Sequence, residues 1–138
     1  MLRRLWGWKS RAKARKAANA KEKAGHLFAS GLNCAQAVLQ ATTGIDSPEM
    51  MRMAEAFGGG IGERKCLCGA ISGGVMALGM EHKGNLSGEL VDAFKARNRV
   101  TCCIALCRPY IWNSKEHQAN CRRLTEETAE VVERLLKE

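Results

Sequence analysis

FGGGIGERKCLCGAISGGVMALG, residues 57–79, falls into two halves that read differently. In the first, four glycines among Gly58–Gly62 break a preceding helix and let backbone amides approach a ligand closely, because no Cβ stands in the way. In the second, beyond Cys68, Gly69, Gly73 and Ala77 recur at a spacing of four with Ala70 and Gly74 beside them. Small residues in that pattern predict a helix against which another helix backbone packs closely. GGGIGERK lacks the spacing and the Lys-Ser/Thr ending of a nucleotide-binding loop, and no strand precedes it. The apolar run Gly73–Met80 is far short of the roughly 20 residues that a membrane-spanning helix needs.

Upstream, the text is one of short helices punctuated by glycine. Ala24, Leu27 and Phe28 close one helix before Gly31, and Asn33 is placed to cap a second that runs to about Ala41 with Ala35, Val38 and Leu39 on one face. Gly44 ends it. Ser47-Pro48 then opens a third in the cap-then-proline order of helix starts, with Met50, Met53, Ala54 and Phe57 as its expected buried stripe. Downstream, Ser87 starts a helix through Leu90, Val91 and Phe94 that is expected to run on into the cysteine-rich Val100–Cys107, with Pro109 as its end. A closing amphipathic helix from about Asn120 turns Leu124, Thr128, Val131, Val132 and Leu135 inward and Glu126, Glu127, Glu130 and Glu133 outward. No strand alternates and nothing repeats. The expected fold is all-α: a small multi-helix bundle with a glycine-rich loop and a basic N-terminal helical arm.

The division of charge sets the domain boundaries. Residues 1–23 carry nine of the 22 Lys/Arg and one of the 14 Asp/Glu, so the whole excess of +8 sits there, and residues 24–138 are balanced at 13 of each. We therefore read 1–23 as an arm and 24–138 as a cysteine-rich helical domain. Leu2, Leu5, Trp6 and Trp8 beside Arg3 and Arg4 suit an anionic membrane surface, although an arm without a broad apolar face suits solvent or a docking partner better. Nucleic acid is not an expected partner, because no recognised module follows the charge. The apolar stretch of a secretory signal is missing after the basic start, so the expected location is cytoplasmic, with association to a membrane through the arm left open.

Seven cysteines in 138 residues is several times ordinary usage, and an odd number cannot pair fully within one chain. In a reducing compartment such richness means metal binding or catalysis. Cys34, Cys68 and Cys121 fall at expected helix starts, where unpaired amides and the positive end of the dipole favour thiolate, the form that attacks and ligates. Cys66 and Cys68 flank Leu67 after the glycine loop, while Cys103 and Cys107 share a helical face from which Cys102 points away. The spacing matches no zinc ribbon, thioredoxin pair or bacterial ferredoxin run, but cysteines from separate helices can converge inside a bundle. His26, His82 and His117 read as solvated residues near helix ends. His117, four residues before Cys121, is also placed to act as a ligand or as a proton acceptor for that thiol.

Three segments in fixed order, GLNCAQAV at 31–38, AFGGGIG at 56–62 and CGAISG at 68–73, resemble the C_GCAxxG_C_C family of redox-active proteins over about residues 24–136. Its third cysteine, with a leucine one turn on, fits Cys103 and Leu106, with Cys102 as second choice, and its fourth fits Cys121. The resemblance implies redox activity. A similar module stands beside haem in split-Soret cytochromes, which implies an iron–sulfur centre. Cys66, Cys102, Cys107 and the arm depart from the family pattern.

Three functions follow as expectations. In the leading one, Cys34, Cys68, Cys103 and Cys121 hold a metal centre, iron–sulfur first, against Gly59 and Gly60, and pass electrons to a partner protein. In the second, Cys68 or Cys121 is a low-pKa thiolate of a metal-free thiol–disulfide or peroxide enzyme, with another cysteine resolving it. The third is a zinc-stabilised or metal-free adaptor that docks through the arm. A homo-oligomer is compatible with each, and whether two chains share one centre, like whether the protein is an enzyme, is left open.

Overall fold

A computed structural model describes residues 2–138, with side chains from Gly7 onward. Among them are eight α-helices: α1 Leu2–Lys16, α2 Ala20–Ala29, α3 Cys34–Thr43, α4 Pro48–Glu55, α5 Gly69–Met80, α6 Ser87–Asn98, α7 Cys103–Cys107 and α8 Lys115–Leu136. A short 3₁₀ turn at Gly84–Leu86 precedes α6. The expected all-α bundle is what forms. Among the described residues the one β-like feature is an isolated antiparallel bridge between Leu67 and Cys102. None of the described helices is long and apolar enough to cross a membrane.

The core forms where α3, α5 and α8 meet. Val38 and Leu39 of α3, Ile71 and Leu78 of α5, Leu90 of α6, and Leu124, Val132 and Leu135 of α8 are sealed from solvent. Burial of each such side chain contributes about 1.5–3 kcal/mol before the entropy of ordering it. Gly73 sets the α3–α5 distance, since a Cβ there would run into the backbone of Ala35. The small-residue stripe is thus a close helix contact, as its spacing predicts. All five residues expected to point inward from the closing helix are buried.

A second, alanine-rich cluster seats α1 and α2. Ala14, Ala20, Ala24 and Leu27 pack with Ala37, Ala41 and Ala129. Asn19 caps α2 by accepting from the Glu22 amide at 2.9 Å, so this helix starts within the basic segment. Trp8 lies exposed on α1. The expected seating of Leu2, Leu5 and Trp6 at a membrane concerns side chains outside the described residues.

Four local expectations are corrected. Met53 is 58% exposed; the face of α4 that packs inward holds Ala54, with Met50, Met51 and Phe57 partly buried. The helix from Ser87 does not continue into the cysteines: it stops where Arg99 takes φ +70°, and a separate helix begins at Cys103. The closing helix begins at Lys115 instead of near Asn120, because Ser114 caps it by accepting from the His117 amide at 3.2 Å. His117 is therefore no solvated residue; it is 3% exposed.

Candidate functional site

Five of the seven cysteines, Cys34, Cys68, Cys103, Cys107 and Cys121, line one cavity of about 280 Å³ together with His117, Gly59 and Gly60. The four cysteines expected as ligands, and both loop glycines, are thus brought together. Cys66 is exposed with its sulfur 3.9 Å from the Arg64 carbonyl, and Cys102 places its sulfur 3.4 Å from the Lys65 carbonyl; neither lines the cavity.

Local structure fixes each sulfur. Asn33 and Gln36 form a capping box around the start of α3: Asn33 Oδ1 accepts from the Gln36 amide at 2.9 Å, and Gln36 Oε1 accepts from the Asn33 amide at 3.0 Å. Cys34 is the first helical residue within that box. Cys68 occupies the N-cap of α5, where its amide donates to the Thr101 carbonyl at 2.9 Å. The Cys103 amide donates to the Cys66 carbonyl and the Ile104 amide to that of Lys65 at 3.0 Å, so the segments entering α5 and α7 are held side by side. One helical turn separates Cys103 from Cys107, and Asn120 ties that turn to α8 by donating from Nδ2 to the Leu106 carbonyl at 3.2 Å.

The glycine loop closes one side through a left-handed coil. Gly59, Gly60, Ile61, Gly62 and Glu63 all have φ between +54° and +74°. For Ile61, β-branched, and Glu63 this region costs about 1–2 kcal/mol per residue. The amides of Ile61, Gly62, Glu63, Lys65 and Cys66 are spent on carbonyls of residues 56–60. Gly59 and Gly60, by contrast, donate to no backbone carbonyl among the described residues. Both residues line the cavity.

The thiols are not alike. Cys34 is held below its ordinary value, first by the Cys121 thiol donating to its sulfur, with burial opposing and the Thr125 hydroxyl helping. Cys121 is correspondingly pushed up, by that hydrogen bond first and by burial second. Burial also pushes up Cys68, with the charge of Cys34 adding and the amides of Ala70 and Ile71 only partly offsetting it. Cys103 is pushed to about 12, by burial and then by Cys107. The expectation of a low-pKa thiolate at Cys68 or Cys121 is therefore corrected: Cys121 lies in the second turn of α8, away from the helix end, and at Cys68 desolvation outweighs the helix amides. Of these thiols, Cys34 is the one shifted toward thiolate.

His117 adds a nitrogen donor. Its Nε2 lies 3.5 Å from Cys121 Sγ, and burial, followed by the charge of Lys65, lowers its pKa so that the ring stays neutral near pH 7. One ligand atom each from Cys107, His117 and Cys121 lie within 4.8 Å of one another, a grouping that could hold a metal ion. Among the described residues no other three such groups come that close, so no three sulfurs of Cys34, Cys68, Cys103 and Cys121 lie within 4.8 Å of one another. A tetrahedral zinc with Zn–S of about 2.3 Å needs its sulfurs about 3.8 Å apart. Sequence reading missed the membership of Cys107 and the burial of His117. The one-turn offset from Cys103 and the Ser114-Lys-Glu-His117 pattern were the available signals.

The family model described as "Putative redox-active protein (C_GCAxxG_C_C)" matches residues 32–135. No curated protein matches the chain, and no solved structure does. With most of its length matched, the chain belongs to that redox-active family.

Proposed function

From that membership we propose that the protein transfers electrons through a polynuclear iron–sulfur centre held by Cys34, Cys68, Cys103 and Cys121. The observation that carries the reading is that these cysteines, from four separate elements, line one cavity in which no three of their sulfurs lie within 4.8 Å of one another. The donor set fits the group: soft thiolates, the positive ends of α3 and α5, and the unspent amides of Gly59 and Gly60 all favour a centre of negative charge. When bound, such a cluster supplies a one-electron couple whose potential follows net charge, burial and hydrogen bonds to its sulfurs. The chain's own part is to bind it, shield it from water and present it to a partner protein.

Protein purified without oxygen tests this through its absorbance and its iron, sulfide and zinc content. Stoichiometric iron and sulfide, lost in Cys68→Ser, is the expected result. Colourless protein, or unchanged iron in that variant, overturns it.

One observation favours a second reading, thiol–disulfide exchange. With Cys34 shifted toward thiolate and Cys121 toward thiol, the Cys34 thiolate can attack a substrate disulfide, forming a mixed disulfide and releasing one substrate thiolate. Cys121, giving up its proton, then displaces the second substrate thiolate and leaves a Cys34–Cys121 disulfide. This reading predicts activity in metal-free protein.

A further inference from the structure

Asn113 holds a left-handed backbone, φ +63°, just before the cap of α8, and this turns its amide onto the His117 ring. The Asn113 amide donates to His117 Nδ1 at 2.9 Å. An N–H can bond only to a nitrogen that carries no proton. The proton of the neutral ring therefore sits on Nε2, the nitrogen 3.5 Å from Cys121 Sγ.

Neighbouring groups keep the ring in this orientation. Trp112 stacks on it with centroids 4.3 Å apart, Lys65 Nζ lies 4.6 Å from the Trp112 ring centroid, and Gln118 Nε2 donates to Asn113 Oδ1 at 3.3 Å. For Nε2 to ligate a metal, the proton would have to move to Nδ1. There it would face the Asn113 amide, donor against donor, in a buried site. Histidines that ligate metals do the opposite, giving their second N–H to a carboxylate, carbonyl or water.

We propose that His117 is a positioning residue that donates from Nε2–H to the sulfur of Cys121, with its tautomer set by the Asn113 amide, and that it is not a metal ligand. The metal side of the inference rests on the iron–sulfur reading; the tautomer does not. An N–H bond to sulfur withdraws charge from it, and so favours the more negative, reduced state of a thiolate-bound centre. His117 raises the potential and leaves the ligand set entirely to cysteine.

Long-range proton–nitrogen NMR of ¹⁵N-histidine-labelled, reduced, metal-free protein reads the tautomer directly. The Nε2–H form at His117 is expected, and the Nδ1–H form overturns the proposal whatever the protein binds. Two variants then carry the question to the iron-loaded protein. His117→Leu has no donor, whereas His117→Gln can place an amide N–H near the position of Nε2. We expect full iron content in the Gln variant, a more negative midpoint potential in the Leu variant, and recovery toward the wild-type potential with Gln. Loss of iron from a folded Gln variant, or equal potentials in all three proteins, overturns the role. If wild-type protein takes up no iron, the iron–sulfur reading fails while the tautomer remains decided by NMR.

Discussion

Cys34, the first residue of α3, and Cys121, in the second turn of α8, line the same cavity with thiols shifted in opposite directions, Cys34 down and Cys121 up. The two residues lie 87 positions apart in the chain, and the helix that begins at Cys34 favours negative charge on its sulfur. The pairing makes one cysteine of the cavity chemically distinct from the rest.

Removing the donor should reveal that distinction. In reduced, metal-free protein, Cys121→Ala takes away the leading cause of the depressed Cys34 pKa while burial continues to oppose the thiolate. Alkylation of Cys34 at pH 7, followed peptide by peptide with mass spectrometry, should slow, because the thiolate fraction falls as the pKa rises. An unchanged rate would mean that the helix end alone activates Cys34.

The sequence made the helices legible wherever a cap or a period announced them. Asn33, Ser47-Pro48 and the Leu124–Leu135 face all do what their spacing suggests. The converging cysteines could be listed from the chain, but not how they divide their protons. That division depends on desolvation and on a contact between α3 and α8, neither of which has a local signature. The start of α8 is hidden for a different reason: the apolar period begins only at Leu124, whereas the Ser114 cap stands ten residues earlier. Placing His117 and Asn113 depended on finding that cap.

Two glycines of α5 should respond in opposite directions to the same change. At Gly73 a Cβ meets the carbonyl oxygen and Cα of Ala35, both backbone, so the helices must part. Gly73→Ala should therefore cost about 3 kcal/mol, the upper end for overpacking. Gly79 has no neighbouring atom in the way of a Cβ and sits in the same helix. Gly79→Ala should stabilise by about 0.5–1 kcal/mol. Urea unfolding midpoints of the two variants decide it, and equal shifts would contradict the close α3–α5 contact.

The glycine loop offers a similar contrast nearer the cavity. At Gly60, φ +74°, a Cβ would lie 2.5 Å from the Cys66 amide nitrogen and 2.8 Å from Cys103 Cβ, so accommodating it moves α7. At Gly62, φ +54°, a Cβ has open space and the change costs only the left-handed strain, about 1–2 kcal/mol. Iron retained per chain after gel filtration should fall in Gly60→Ala and hold in Gly62→Ala. If both variants keep their iron, Gly60 does not shape the binding cavity.

The raised thiols make metal-free protein sensitive to alkali. Cys103, at about 12 in the folded chain against 9.0 when unperturbed, keeps its proton when folded and loses it when unfolded across that interval. Cys68 and Cys121 are raised as well. Above pH 9 the unfolded chain therefore binds fewer protons than the folded one, and stability must fall as pH rises toward 12. Cys34 runs the other way: its depressed pKa contributes stability that is present above 9 and is lost as pH falls through the folded value. Urea unfolding of reduced, metal-free protein between pH 9 and 11 should show declining stability, with a shallower slope in Cys103→Ala because one proton has left the difference. A slope identical to wild type would mean that Cys103 ionises alike in both states, and that its burial does not hold the proton.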